Sequence, residues 1–555
     1  MMKQRLLKPS LLALFGLLTW QVALSQDEKK KDEGELHGFF QWDAQYYNSD
    51  SSIRAAEVPE KIASNAYANF TYTRGDFTFG IRYESYNPVL PGFDSRYRGG
   101  GISNRFASYK VDNLEVTVGN FYEQFGSGMV LRGYWEWGLG FDNSFDGVRV
   151  RFQPVEGLKL TGLIGKQRFF FDVGDGTVRG LNAELSLNTL FAKLKDSKTQ
   201  INLGASLVSK FQRDDSPVLK LPENVAASSA RLSLIRGGYS FSAEYAYKVN
   251  DPNLVNSLIY RHGEGLLVNM GYTQKGFGIN LSAKRLDNMS FKSDRNQQAF
   301  VLDINYLPVS TRLHTYRLPT LYPYATSING EMALQLDINY KIPKGSLLGG
   351  KYGTDISLNY SQIYSIQKRS PITSTDSVIG YQSDFFALGN ELFYRDFNLE
   401  FARKVSPKFK YTLTYINMVL NDNGLVVDVA PDFKGTITSN IGVAELQYKI
   451  KPKHTIRTEF QYLKTDQDRG DWAMILAEYT ISPKFFLAVF DEYNLGNSNP
   501  SKRIHFISAQ AGIIRGTTRI AVGYGRQREG VLCVGGVCRI VPATNGFSLN
   551  VSSSF

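Results

Sequence analysis

Apolar and polar side chains alternate one for one along much of this chain. Phe77, Phe79, Ile81 and Tyr83 interleave with Thr78, Gly80, Arg82 and Glu84, and Leu181, Ala183, Leu185 and Leu187 interleave with Asn182, Glu184, Ser186 and Asn188. Towards the C-terminus Ala444, Leu446, Tyr448 and Ile450 alternate with Glu445, Gln447 and Lys449. Ile456, Thr458, Phe460 and Tyr462 then alternate with Arg457, Glu459 and Gln461. A period of two predicts strands with one apolar face and one polar face. The charges on the polar face predict a wet interior.

A soluble sandwich alternates in the same way, so the connections have to decide. Tight turns fall at Arg74-Gly75-Asp76, Val155-Glu156-Gly157, Arg236-Gly237-Gly238, Lys275-Gly276, Ser406-Pro407-Lys408, Lys451-Pro452-Lys453, Ser482-Pro483-Lys484 and Arg515-Gly516. Between them run polar connections such as 48–64, 89–104, 367–383 and 421–439. Short turns on one rim and long loops on the other are the pattern of an outer-membrane barrel. The prediction is an all-β fold, a single large closed antiparallel transmembrane β-barrel of about 26 strands (24–28 allowed) from Glu35 to Phe555. Its short turns would be periplasmic and its long loops extracellular. Reaching 26 requires a strand over Leu313 to Tyr324, in the least regular stretch, Gln298 to Tyr340. Beyond residue 25 no run of about 18 apolar residues occurs, which excludes a membrane helix and leaves a barrel open. Aromatics at 13%, 50 glycines and only 19 prolines suit one large sheet better than several soluble domains.

The ends of the chain agree. Lys3, Arg5 and Lys8 precede the apolar stretch Leu11 to Val22, and Ala23-Leu24-Ser25 has the small-x-small form of a cleavage site. Residues 1–25 therefore read as a secretory signal. Residues 26–34 read as a short periplasmic segment and 35–555 as the barrel, with no second domain expected. In the last ten residues Phe547, Leu549, Val551 and Phe555 share one face, and Ser548, Asn550 and Ser552 share the other. This run resembles the terminal strand by which bacterial outer-membrane barrels are recognised for insertion. It implies the Gram-negative outer membrane as location, with lipid and the barrel assembly machinery as partners. The net charge of +11, part of it in the leader, fits either a basic pore or anionic partner, or solvated loops beside anionic head groups. No nucleic-acid motif is present.

Three stretches are candidates for chemistry. In Cys533-Val-Gly-Gly-Val-Cys538 a Gly-Gly turn sets the cysteines opposite one another as a non-hydrogen-bonded pair, within disulfide range. In an exported protein with only these two cysteines a disulfide is favoured over a metal or redox pair, which would want a His or a third ligand nearby. The segment 119–144 is rich in glycine, aromatics and charge. As a lumen constriction or ligand platform it would oppose Glu123 to Arg132 and offer Trp135 and Trp137 for stacking; as an interfacial belt it would pack only on itself. Inward strand positions, Arg82, Glu84, Arg457 and Glu459 among them, are pore-lining candidates. Asp172 and Asp175 read either as calcium ligands or as a tight polar loop.

Tyr122-Glu-Gln-Phe-Gly-Ser-Gly128, the Leu-Gly-Phe-Asp-Asn-Ser run at 139–144 and the Cys533–Cys538 hairpin together resemble a family of large Bacteroidota outer-membrane barrels without a settled biochemical role. That likeness implies a single-chain barrel and carries no catalytic residues over. His37, His262, His314, His454 and His505 form no recognisable cluster with Ser, Asp or Cys, so no enzyme, cofactor or metal is expected. Two functions follow. One is a porin-like channel for hydrophilic solutes or a specific polymer. The other is a non-conducting barrel that serves as a surface scaffold or joins a transport, secretion or adhesion complex through a periplasmic or surface partner.

Overall fold

The computed structural model describes residues 34–55, 57–370, 380–421, 423, 433–534 and 537–555. The leader at 1–25, the segment 26–33 and the Gly535-Gly536 turn lie outside these residues. Twenty-four antiparallel strands form one sheet, each paired with its neighbours in sequence. The sheet closes where the first strand, Glu35–Tyr47, meets the last, Thr544–Ser554, with Tyr46 opposite Phe547 and Phe39 opposite Ser554. Pairing reaches the final residue: Gly38 and Phe555 exchange backbone hydrogen bonds of 2.8 and 3.0 Å. Closure leaves no unpaired edge, the condition for strands to cross hydrocarbon.

The count is at the lower end of the expected range, and Leu313 to Tyr324, which a count of 26 requires, is not a strand. Its only regular element is a short 3-10 turn, Pro319–Leu321. Pro319 and Pro323 lack the N–H groups a central strand must donate. This stretch belongs to a connection, 288–330, that runs between two neighbouring barrel strands, and parity holds without it.

Every tight turn read from the sequence lies on one rim, with both chain ends of the barrel. Two longer connections share that rim, 187–198, which carries the helical turn Leu187–Leu190, and 343–353. The opposite rim carries the long loops and one short hairpin, at Phe170 and Phe171. No helix among the described residues is long and apolar enough to cross a membrane.

Outward positions are apolar around the ring, and aromatics cluster at two heights. Phe77, Phe79, Tyr109, Tyr239, Tyr340 and Tyr448 are exposed near the short-turn rim; Tyr46, Tyr83, Tyr247, Tyr415, Tyr462 and Phe547 are exposed near the other. Tyr239 and Tyr247 share one strand and lie about 27 Å apart along it. At the usual strand tilt that is about 20 Å of height, close to the apolar band of a membrane barrel.

Candidate functional site

The site is the lumen, and two inward-folded connections supply much of its contents. Residues 122–144 form two short hairpins, pairing Gln124–Phe125 with Leu131–Arg132 and Trp135–Glu136 with Phe141–Asp142. The connection 288–330 packs against them and joins them through the backbone. Arg132 N–H donates to the Ile304 carbonyl at 2.8 Å, and Tyr306 N–H donates to the Gly128 carbonyl at 2.9 Å. The Asn143 amide bridges the Arg132 and Asp303 carbonyls, and the Asn305 amide bridges those of Met129 and Met289. The two segments act as a single plug.

Apolar side chains seat that plug on the inner wall. Phe125, Met129, Val130, Leu131, Phe291 and Ile304 pack against inward Leu163, Val178, Val208, Ala246 and Leu286. Across the barrel Leu318, Leu321, Tyr322 and Tyr324 pack against Ile363, Ile416, Ile441, Leu463 and Trp472. Between these halves Tyr67, Tyr86 and Tyr97 enclose Trp135 and Phe171. A fully buried apolar side chain stabilises by about 1.5–3 kcal/mol. An opening that stripped several of these contacts would be a rare event.

Paired charges hold the remainder. Arg82 and Arg168 from the wall meet Glu84 of the wall and Asp142 of the plug in a closed square. Arg82 Nε lies 2.8 Å and Arg168 Nη2 2.7 Å from Glu84, Arg168 Nη1 lies 2.6 Å from Asp142, and Arg82 also bonds Asp142. Burial alone would raise the Asp142 carboxyl, but Arg168 and Arg82 hold it below the usual range. Elsewhere Lys284 pairs with Glu331 at 2.7 Å, His314 with Asp396 at 2.7 Å, and Glu492 takes both Arg317 and Arg528.

Below the plug the inward side chains emerge. Val178, Gly180 and Asn182 are buried while Glu184 on the same strand is exposed. Glu331 and Ala333 are buried, Gln335 and Asp337 are half-buried, and Asn339 is exposed. Ile437, Ser439, Ile441 and Val443 are buried, Glu445 is half-buried and Lys449 exposed. On each strand the change runs toward the short-turn rim. Among the described residues the lumen is thus a polar cup, open at that rim and filled by the plug toward the long loops.

The residues singled out from sequence distribute over both parts. Glu123 and Arg132 do not face one another across an opening. Both belong to one hairpin, where Gly133 N–H donates to the Glu123 carbonyl at 2.7 Å. The Glu123 carboxylate lies 2.7 Å from Arg151, and the Arg132 guanidinium stacks 4.0 Å from the Tyr306 ring centroid. Trp135 packs edge-on to Tyr67 and carries Arg82 on its face at 4.0 Å; Trp137 also meets Tyr67. Arg82 and Glu84 face inward against the plug and are buried by it. Arg457 and Glu459 face inward lower down, Arg457 reaching Glu445, Glu459 and Glu478 within 3.4 Å.

On the last strand Phe547 and Phe555 are exposed, and Asn550 on the inner side donates to Asp43 at 2.7 Å. Cys533 and Cys538 are disulfide-bonded, with Cα atoms 4.1 Å apart, in a hairpin separate from the barrel sheet. Asp172 caps the neighbouring Val173 N–H at 2.8 Å. Among the described residues no group of three or more His, Cys, Asp or Glu is placed to hold a metal. Sequence reading missed Arg168 and the whole of 288–330, whose single signal was the failure of alternation between two well-patterned strands.

Fold and lumen together define a large closed antiparallel barrel plugged by its own connections. The chain belongs to a family of unknown function, DUF6029, whose sequence profile matches residues 2–555. No curated protein matches it. Among solved structures it is similar to the siderophore receptor PirA from Pseudomonas aeruginosa, at 10% identity and a TM-score of 0.37, covering 95% of this chain and 81% of that one. A mutant of the ferric enterobactin receptor PfeA from the same organism gives 9%, 0.41, 94% and 80%. A BenF-like porin from Pseudomonas fluorescens Pf-5 gives 12%, 0.32, 78% and 98%. These are distant likenesses and bring no function with them.

Proposed function

We propose that the protein is an integral barrel of a Gram-negative outer membrane that acts as a self-closed, porin-like conduit for hydrophilic solutes. In this reading the short turns face the periplasm and the long loops the exterior. The terminal strand is what the assembly machinery engages, and no catalysis is involved. The observation that carries the reading is the gradient in exposure along the inner wall, from covered under the long loops to exposed and polar at the short turns. A structural barrel core has no need of a polar cup, and a free-diffusion porin has no need of an apolar seal. The extent of the buried contacts between plug and wall favours a second reading, a non-conducting scaffold.

Planar-bilayer recording on the purified full-length protein separates the two. A gated conduit shows a closed ground state with discrete openings that become more frequent with voltage or a permeant solute. Silence across voltage and solutes leaves the scaffold, and steady conductance from the outset contradicts both.

A further inference from the structure

Just below the plug the inner wall encloses a cavity of about 410 Å³, open to the cup and roofed by the tip of the inner hairpin at Gly126 and Ser127. Charges of both signs line it: Lys159 and Arg231, Glu184 and Glu244. No aromatic ring does, so a stacked sugar or nucleobase has no platform here. Arg231 and Glu244 stand directly opposite on neighbouring strands.

Arg231 is held from behind, its Nη1 and Nη2 bonding Ser206 Oγ and Asn182 Oδ1 at 2.6 Å each. The two carboxylate oxygens of Glu244 differ. Oε2 accepts from the Ser127 N–H of the hairpin tip at 2.8 Å, whereas Oε1 has no hydrogen-bond partner although the residue is only 5% exposed. A buried carboxylate oxygen without a donor is costly, and a cationic donor is the partner that relieves it best. The tip leaves little room to spare. A Cβ added at Gly126 would lie 2.4 Å from Arg231 Cδ and 2.7 Å from Glu244 Oε2.

We propose that this cavity binds a zwitterionic solute of amino-acid or dipeptide size, its ammonium on Glu244 and its carboxylate toward Arg231 and Lys159. Glu244 would then join the solute to the hairpin tip, since its other carboxylate oxygen accepts from the Ser127 N–H. This rests on the reading of the short-turn side as the open face of a conduit. The volume is in the range of small-molecule sites.

The test is isothermal titration of the full-length protein in detergent with diglycine, N-acetyl-diglycine and glucose. Diglycine is expected to bind saturably, N-acetyl-diglycine and glucose not, and Glu244→Gln to weaken diglycine by about tenfold or more. If Glu244→Gln does not yield folded barrel, Arg231→Gln serves, with the same loss expected for diglycine. Absence of saturable diglycine binding overturns the proposal, as does equal binding of the acetylated peptide or a preference for glucose. Calorimetry needs no passage through the barrel. Binding in a protein that stays silent in bilayers therefore contradicts only the conduit, and openings without diglycine binding contradict only the site.

Discussion

Ile437, Ile441 and Val443 face the lumen at the long-loop end of one strand and are covered; Glu445 and Lys449 face it further along the same strand and are progressively bare. The wall is continuous, so the contrast comes from what folds against it. Where inward connections arrive, inner positions are covered, and many are apolar or charged and paired; where none arrives, positions such as Glu184, Asn339 and Lys449 are exposed and polar. One barrel thus carries two solvents in its lumen, a protein core above and an aqueous cup below. A transporter can use the boundary between them as a gate.

The strongest way to break the contrast is to remove the longer of the plug's two segments. Leu286 and Glu331 are register partners on adjacent strands, so a short glycine-serine linker in place of 289–329 leaves the barrel closed. Bilayer recording should then pass from rare openings to steady conductance. A weaker blow falls on the buried square. Asp142→Asn leaves Arg168 and Arg82 with one carboxylate between them, and breaking a buried pair costs about 3–5 kcal/mol. Hydrogen exchange in 122–144 should accelerate by roughly two to four orders of magnitude, with barrel strands unchanged.

Acid acts on the same square in a known direction. Asp142 is held below its usual range. Its contribution is complete above about pH 4 and is lost only as pH falls through the lower folded value. Protection of amides in 122–144, corrected for the intrinsic pH dependence of exchange, should therefore match at pH 7 and pH 5 and fall only in stronger acid. In the cup the effects shrink: Arg457 is partly exposed, and Arg457→Gln should change stability by less than about 1 kcal/mol. Placed in the plug-excised barrel, it should shift the reversal potential toward cation selectivity, because Glu445, Glu459 and Glu478 lose their counter-charge. Least of all, reducing Cys533–Cys538 should leave barrel stability within about 0.5 kcal/mol and quicken exchange only in 530–541.

The division also decides what a reader of the sequence sees. Outward faces meet one medium all round the barrel, so alternation, tight turns and the Phe547-to-Phe555 face are legible residue by residue. So is the cysteine hairpin, whose geometry is local. The plug is not legible in this way. Buried on several sides, Met289 to Ile328 has no reason to alternate, and a charge destined for a buried pair, such as Asp142 or Lys292, is written with the same letter as a solvated one. Glu123 and Arg132 show the consequence: the residue types suit a constriction, but the hairpin that joins them is set by contacts with Ile304 and Tyr306, far along the chain.

Accessibility of the inner wall tests the two-solvent lumen most directly. In a Cys533→Ser, Cys538→Ser background, Glu184→Cys and Asn339→Cys are reconstituted in oriented proteoliposomes and exposed to a membrane-impermeant maleimide from one side at a time. Both cysteines should label readily from the short-turn side and remain unlabelled from the long-loop side. Comparable labelling from the long-loop side would contradict a lumen sealed at that end.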